Sequence, residues 1–160
     1  MITGCGRPTV SSSDSPVTPE RSRLMSRIGS RNTVPELVVR RLLWSMGYRY
    51  RLHRRDLPGT PDIVFIGKRL AIFVHGCFWH RHIDCRKSSI PKTRTEFWRA
   101  KLEANVKRDL RKFQELTQLG WKCQVIWECE TSDIGLLRNK VEALMNQANR
   151  TREVPEEGAK

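Results

Sequence analysis

The stretch PDIVFIGKRLAIFVHGCFWHRHIDC, Pro61 to Cys85, contains two apolar runs of strand length and then three histidines and two cysteines within eleven residues. Asp62–Ile66 and Leu70–His75 are split by Gly67-Lys68-Arg69, a spacing that predicts a β-hairpin. Asp62 stands at the start of one predicted strand and His75 at the end of the next. Antiparallel pairing then brings a carboxylate and an imidazole side by side where a buried strand gives way to a polar loop.

Upstream of the hairpin, Thr33-Val-Pro-Glu36 has capping-box spacing. It opens a predicted helix with Leu37, Val38, Arg41, Leu42 and Met46 at helical intervals, closed by Gly47. Tyr48, Tyr50 and Leu52 alternate with Arg49, Arg51 and His53, which predicts a short strand with one basic face. DLPGTP reads as a loop. Downstream, Thr95 to Leu119 carries Phe97, Leu102, Val106, Leu110, Phe113 and Leu116 as an apolar stripe ended by Gly120. Its other face presents Arg94, Trp98, Lys101, Asn105, Arg108 and Lys112. Trp121, Cys123, Val125, Trp127 and Cys129 alternate with Lys122, Gln124, Ile126 and Glu128 as a further strand, and Ile134, Leu137, Val141, Leu144 and Met145 mark a last amphipathic helix. The order α-β-β-β-α-β-α, without internal repeat, predicts a mixed central sheet flanked by helices. Residues 1–22, rich in Ser, Thr, Pro and Gly, are expected to be a disordered tail and 151–160 a polar one, leaving one domain over 23–150.

The chain has 160 residues and a net charge of +13, with a pI near 10.2. One domain of this size buries a real core, and clustered Lys and Arg point to a phosphate-bearing partner, nucleic acid first. No apolar run approaches the roughly 20 residues of a membrane-spanning helix, and no signal peptide opens the chain, so the expected location is the cytoplasm and no membrane partner is expected. Five cysteines, an odd and unevenly spaced set, then read as metal ligands and reduced thiols rather than a disulfide framework.

Cys77-x4-His82-x2-Cys85, joined by Cys129 at the end of a strand, supplies a closed Cys3His set of the kind that holds structural zinc. His80 competes for the same role through Cys77-x2-His80, and composition does not choose between the two histidines. Cys123 reads as a core residue, and Cys5 lies in the tail. Asp62 could hold Mg²⁺ against a phosphate oxygen while His75 or His80 moves a proton. Phe78 and Trp79 either shield the metal or face outward.

Read in order, LPGTPDIVF, IFVHGCFWHRH, TRTEFWRAKLEANVKRD and LGWKCQVIWEC closely resemble the very short patch repair DNA mismatch endonucleases over about residues 20 to 130. The resemblance implies a fold related to the type II restriction enzymes. It also implies Mg²⁺-dependent nicking of one strand 5′ to the mispaired thymine of a T:G mismatch, the product of 5-methylcytosine deamination. Carried over by position, Asp62 matches the metal-binding aspartate, with the Val74 carbonyl completing the metal shell. His75 and His80 match the two active-site histidines, and Glu36 the glutamate of the first helix, expected to orient His80 or a metal-bound water. The zinc ligands implied are Cys77, His82, Cys85 and Cys129. Phe78, Trp79 and Trp98 match aromatics that wedge between base pairs beside the mismatch, and Met25 is expected to enter from the opposite side. Lys101 and Asn105, one turn beyond Trp98, are expected to read base edges while Arg94, Arg108 and Lys112 meet phosphates. The protein is expected to act as a monomer on DNA, with a companion cytosine methyltransferase and mismatch-repair proteins as further partners. Two rivals are a restriction-like nuclease cutting both strands of intact DNA and a non-catalytic zinc module that binds deformed DNA.

Overall fold

The computed structural model describes residues 31–150. Met25 and both predicted tails lie outside them. The elements are α1 (Val34–Ser45), β1 (Arg51–Leu52), β2 (Ile63–Phe65), β3 (Leu70–His75), α2 (Thr95–Gln118), β4 (Lys122–Trp127) and α3 (Ile134–Arg150). They form one four-stranded mixed sheet in the order β1-β2-β3-β4, with β1, β2 and β3 antiparallel in turn and β3 parallel to β4. The predicted order of elements and the mixed α/β class are those of the structure. No helix among the described residues is long and apolar enough to cross a membrane.

Strand alternation explains the layers. Ile63, Phe65, Leu70 and Ile72 pack into one core with Val39, Leu42 and Leu43 of α1 and Leu137, Val141 and Met145 of α3. Val64, Ala71 and Phe73 face the other way, into a second core with Leu57 and Leu116, flanked by Phe113, Trp121, Cys123 and Val125. Cys123 is thus a half-buried core residue, as its strand position predicts. The same alternation turns Asp62, two residues before Val64, and His75, two after Phe73, toward the α2 side of the sheet.

Four details differ from the sequence reading. The strand predicted from Tyr48 forms only over Arg51–Leu52. Tyr48 and Tyr50 instead set their rings edge-on against Phe65, at 6.3 and 6.1 Å between centroids, and the Tyr50 hydroxyl donates to the Arg40 carbonyl at 2.9 Å. Ile66 leaves the strand for a 3-10 turn, Ile66–Lys68, and Arg69 takes the left-handed conformation that a glycine usually fills. Arg69 is held there by the end of α2: its guanidinium donates to the Leu119 carbonyl at 3.3 Å, and its own carbonyl accepts the Lys122 amide at 2.7 Å. The apolar stripe of α2 is core only at Leu102 and Leu116, while Phe97 and Leu110 are exposed. The second core takes only Phe113 and Leu116 from α2, whereas Asn105 and Asp109, nearer its start, bond to the loop that follows β3. The fourth difference lies in the capping box. Thr33 accepts the Glu36 amide at 3.4 Å, yet the Glu36 carboxylate takes the Asn32 amide at 2.7 Å rather than that of Thr33.

Candidate active site and metal centre

A cleft of about 350 Å³ opens at the end of the sheet, lined by His53, Asp62, Phe73, Val74, His75, His80, Asp109 and Lys112 among others. Antiparallel pairing of Ile63 with Ile72 carries Asp62 to the level of Phe73 and Val74, and the Val74 amide donates to Asp62 Oδ2 at 2.7 Å. Burial pushes the Asp62 carboxyl up to about 6, against the lowering effect of that amide, and the nearby Glu36 charge adds to the rise. Asp62 and His75 line one cleft, but their nearest polar partners differ: Asp62 gathers with Glu36 and His53, and His75 with His80 and Asp109.

His80 lies in the loop after β3, its amide donating to the Gly76 carbonyl at 3.2 Å. The turn stacks its ring on that of His75, with centroids 3.7 Å apart and planes within 13°. His80 Nδ1 is 2.5 Å from Asp109 Oδ2. Asp109 therefore orients His80, one of the two roles expected of Glu36, while Glu36 binds Arg40 and faces His53 beside Asp62. Burial works to raise the Asp109 carboxyl, but the hydrogen bond from His80 and the charges of His80, His75 and Arg108 hold it below its usual range. His75 is pushed the opposite way from Asp62, down to about 3, first by burial and then by His80, so its ring is neutral at physiological pH.

The second cluster follows from parallel register. His75 pairs with Trp127, so Cys77 and Cys129, two residues beyond each, emerge together at the same sheet end. The intervening loop turns through Arg81 and Asp84, both at positive φ, and returns His82 and Cys85 to them. His82 Nδ1 lies 3.6 Å from Cys77 Sγ and 3.3 Å from Cys129 Sγ, and one ligand atom from each of Cys77, His82, Cys85 and Cys129 lies within 4.8 Å of the others. A tetrahedron with zinc–sulfur bonds near 2.3 Å has edges of roughly 3.5–3.8 Å, so this donor set fits zinc. His82 rather than His80 completes the cluster, its ring stacked on Trp127 at 4.2 Å. Burial pushes the Cys77 thiol up to about 12 in the absence of a cation.

Phe78 and Trp79, between Cys77 and His80 in the chain, join Trp98 of α2 in an aromatic ridge. Phe78, Trp79 and Trp98 meet pairwise edge to face, with centroids 5.0 to 6.2 Å apart. Each is half-buried. The Lys101 ammonium lies over Trp79, Trp98 and Phe97 at 5.5 to 5.8 Å, and the Arg94 guanidinium over Phe97 at 4.7 Å. Asn105 donates to the Trp79 carbonyl at 3.1 Å and accepts from Arg108 at 2.5 Å, tying the ridge to α2. A Cβ on Gly59, at φ +79, would come within 3.1 Å of the Lys112 stem and 3.2 Å of the Phe73 ring, so a side chain there would be strained.

The sequence reading left two cleft residues without a role. Asp109 ends the TRTEFWRAKLEANVKRD stretch, one turn beyond Asn105, with no motif to mark it. His53 was seen only as part of a basic strand face, where its cross-strand register with Asp62 was the clue.

A mixed α/β chain whose sheet ends in a carboxylate–histidine cleft, a Cys3His cluster and a cation-bearing aromatic ridge has the parts of a DNA-directed enzyme. Residues 13–87 match the family model described as DNA mismatch endonuclease Vsr. The chain is 53% identical over 131 residues to the type II nicking enzyme V.XorIIP of Xanthomonas oryzae pv. oryzae, covering 81% of this chain and 96% of that one. It is 39% identical over 130 residues to the type II nicking enzyme V.NmeAIP of Neisseria meningitidis, covering 81% and 92%. It is 44% identical over 109 residues to the DNA mismatch endonuclease Vsr of Escherichia coli K12, covering 68% and 69%. The chain belongs to the Vsr family of DNA mismatch endonucleases.

Proposed function

We propose that this protein nicks one strand of double-stranded DNA 5′ to the mispaired thymine of a T:G mismatch, by Mg²⁺-dependent phosphodiester hydrolysis, with zinc as a structural staple. The observation that carries this reading is the junction of cleft and ridge: Trp79 and His80 are consecutive residues, one in the aromatic ridge and the other in the hydrolytic cleft. A side chain that senses a weakly stacked base pair is thereby bonded to one that moves a proton.

Asp62 and the Val74 carbonyl would hold the Mg²⁺, which when bound supplies charge neutralisation at the scissile phosphate. His80 spends Nδ1 on Asp109, so its proton-accepting nitrogen is Nε2, and the Asp109 carboxylate stabilises the imidazolium that forms when a water is deprotonated. His75, neutral and stacked on His80, fixes the ring plane rather than donating a proton. Glu36 acts from behind the cleft wall, buried beside Asp62 and His53. Cys77, His82, Cys85 and Cys129 leave a four-coordinate zinc no open position, and thus no part in the chemistry.

Phe78, Trp79 and Trp98 wedge beside the mismatch, where a wobble pair lowers an unstacking cost of a few kcal/mol. Lys101 and Asn105 face base edges, while Arg94, Arg108 and Lys112 neutralise phosphates. The protein works as a monomer on DNA in the cytoplasm, with a cytosine methyltransferase as companion. End-labelled duplexes carrying each mismatch in turn, with the cut mapped on both strands, test this reading. Cleavage of one strand at T:G alone supports it. Equal cleavage of a fully paired duplex, or cuts in both strands, would overturn it in favour of a restriction-like nuclease, and binding without any cut in favour of a non-catalytic module.

A further inference from the structure

Glu36, His53 and Asp62 come from three different elements. Glu36 projects from the first turn of α1, where its side chain is 2% exposed. His53 and Asp62 continue the β1–β2 ladder by one step beyond Leu52 and Ile63, and the His53 amide donates to the Asp62 carbonyl at 3.3 Å. That step places both side chains on one sheet face. It also puts His53 at φ 47, a left-handed conformation that strains a non-glycine residue and tends to persist at functional sites.

The imidazole lies between two carboxylates. Its Nε2 is 3.1 Å from Glu36 Oε1 and its Nδ1 is 3.9 Å from Asp62 Oδ1. The first contact is not aligned for a hydrogen bond, so Nε2 is buried without a hydrogen-bond partner, and the second is too long for one. An imidazole that served only to bridge the carboxylates would direct an N–H at each oxygen. Neither is so directed. The carboxylates have other partners as well: the Asn32 amide donates to Glu36 Oε2 at 2.7 Å, Arg40 to Glu36 Oε1, the oxygen that faces His53, at 3.3 Å, and the Val74 amide to Asp62 Oδ2 at 2.7 Å, which leaves Asp62 Oδ1 turned toward the ring. One ligand atom from each of the three residues lies within 4.8 Å of the other two. One ring nitrogen can serve one cation, and the Nε2–Glu36 Oε1 spacing of 3.1 Å matches the roughly 3.0 Å between adjacent octahedral ligands that lie near 2.1 Å from a cation.

We propose that His53 is a protein ligand of the cleft cation together with Glu36 and Asp62, and that its nitrogen makes the site favour Mn²⁺ over Mg²⁺. The inference rests on the reading of Asp62 as the carboxylate that holds the cation. An imidazole in place of one oxygen ligand suits transition ions, whereas Mg²⁺ prefers carboxylate, carbonyl and water.

The test is a Mn²⁺ titration of the zinc-loaded full chain without DNA, followed by electron paramagnetic resonance, with pulsed detection of ¹⁴N coupling to the bound ion. The expected result is one bound Mn²⁺ coupled to nitrogen, with the coupling lost in His53→Gln and kept in His75→Ala and His80→Ala. Mn²⁺ affinity should fall by at least about tenfold in His53→Gln while Mg²⁺ affinity, read by displacement, changes less than about threefold. Wild-type protein that binds no Mn²⁺, or binds it without nitrogen coupling, overturns the proposal with no variant needed. Coupling that survives His53→Gln overturns it equally. Nicking of a T:G duplex, scored separately, keeps the two readings apart. Activity without nitrogen coupling removes His53 alone, and coupling without activity removes the enzyme function alone.

Discussion

His80 Nδ1 and Asp109 Oδ2 lie 2.5 Å apart across 29 positions of chain, joining the loop after β3 to the middle of α2. The pair fixes both the tautomer and the tilt of the ring. Asp109→Asn keeps the shape but no longer stabilises the imidazolium, and it should slow single-turnover nicking by roughly 10²-fold or more, with zinc content and mismatch affinity unchanged. His80→Ala should lose a similar factor, and the double variant little more than either alone. Additive losses in the double variant would show that the two do not act as a unit.

Asp62 works against stability in the metal-free protein. Its carboxyl is raised from 3.8 to about 6, so the native state binds more protons than the unfolded state between those values, and stability falls as pH rises through that window. Above it, the buried charge costs about 3 kcal/mol. Asp62→Asn should therefore raise the melting temperature of metal-free cleft protein at pH 7.5, by an amount that shrinks by about half at pH 5, while abolishing nicking. A gain that ignored pH, or a loss, would contradict the assignment of burial as the cause.

Cys129→Ala should release one equivalent of zinc and lower the melting temperature before it touches the chemistry, because four protein ligands make the metal part of the fold. Zinc content by mass spectrometry and thermal unfolding on one preparation check this. A fully folded, zinc-free variant nicking at the normal rate would make the cluster dispensable.

Asn105 holds the Trp79 carbonyl, so its loss should loosen the ridge as well as remove a base contact. Asn105→Ala should cost about 1–3 kcal/mol of preference for the correct site, whereas Lys112→Ala should weaken all duplexes alike and flatten the salt dependence. Equal losses on every duplex for both variants would remove Asn105 from recognition.

What was legible in the sequence follows from the range of the interaction. The hairpin, the three helices and the layer alternation are local periodicities, and they read correctly from Ile63, Leu70 and Leu116 onward. The Cys77–Cys129 meeting was readable because both lie just past strand ends. Asp109 was not, since a lone carboxylate on a basic helix face carries no motif. Its partner is fixed only when α2 crosses the loop after β3. His53 was hidden by its basic neighbours Arg49 and Arg51, because alternation assigns a face and not an occupant. The exposed Leu110 shows the converse, a periodic apolar residue on a part of α2 that the sheet does not cover.

The parallel pairing of β3 with β4 has a consequence for how the protein is made. A crosslink between Cys77 and Cys129 closes a loop of roughly fifty residues, worth about 4 kcal/mol by the chain-entropy account of such closures. The cleft groups, from Glu36 to Asp109, leave the ribosome before Cys129 does. A nascent chain thus has its reactive groups translated while the strand and thiol that lock them in register are still missing. In a DNA-cutting enzyme this order puts the lock after the cleft it secures.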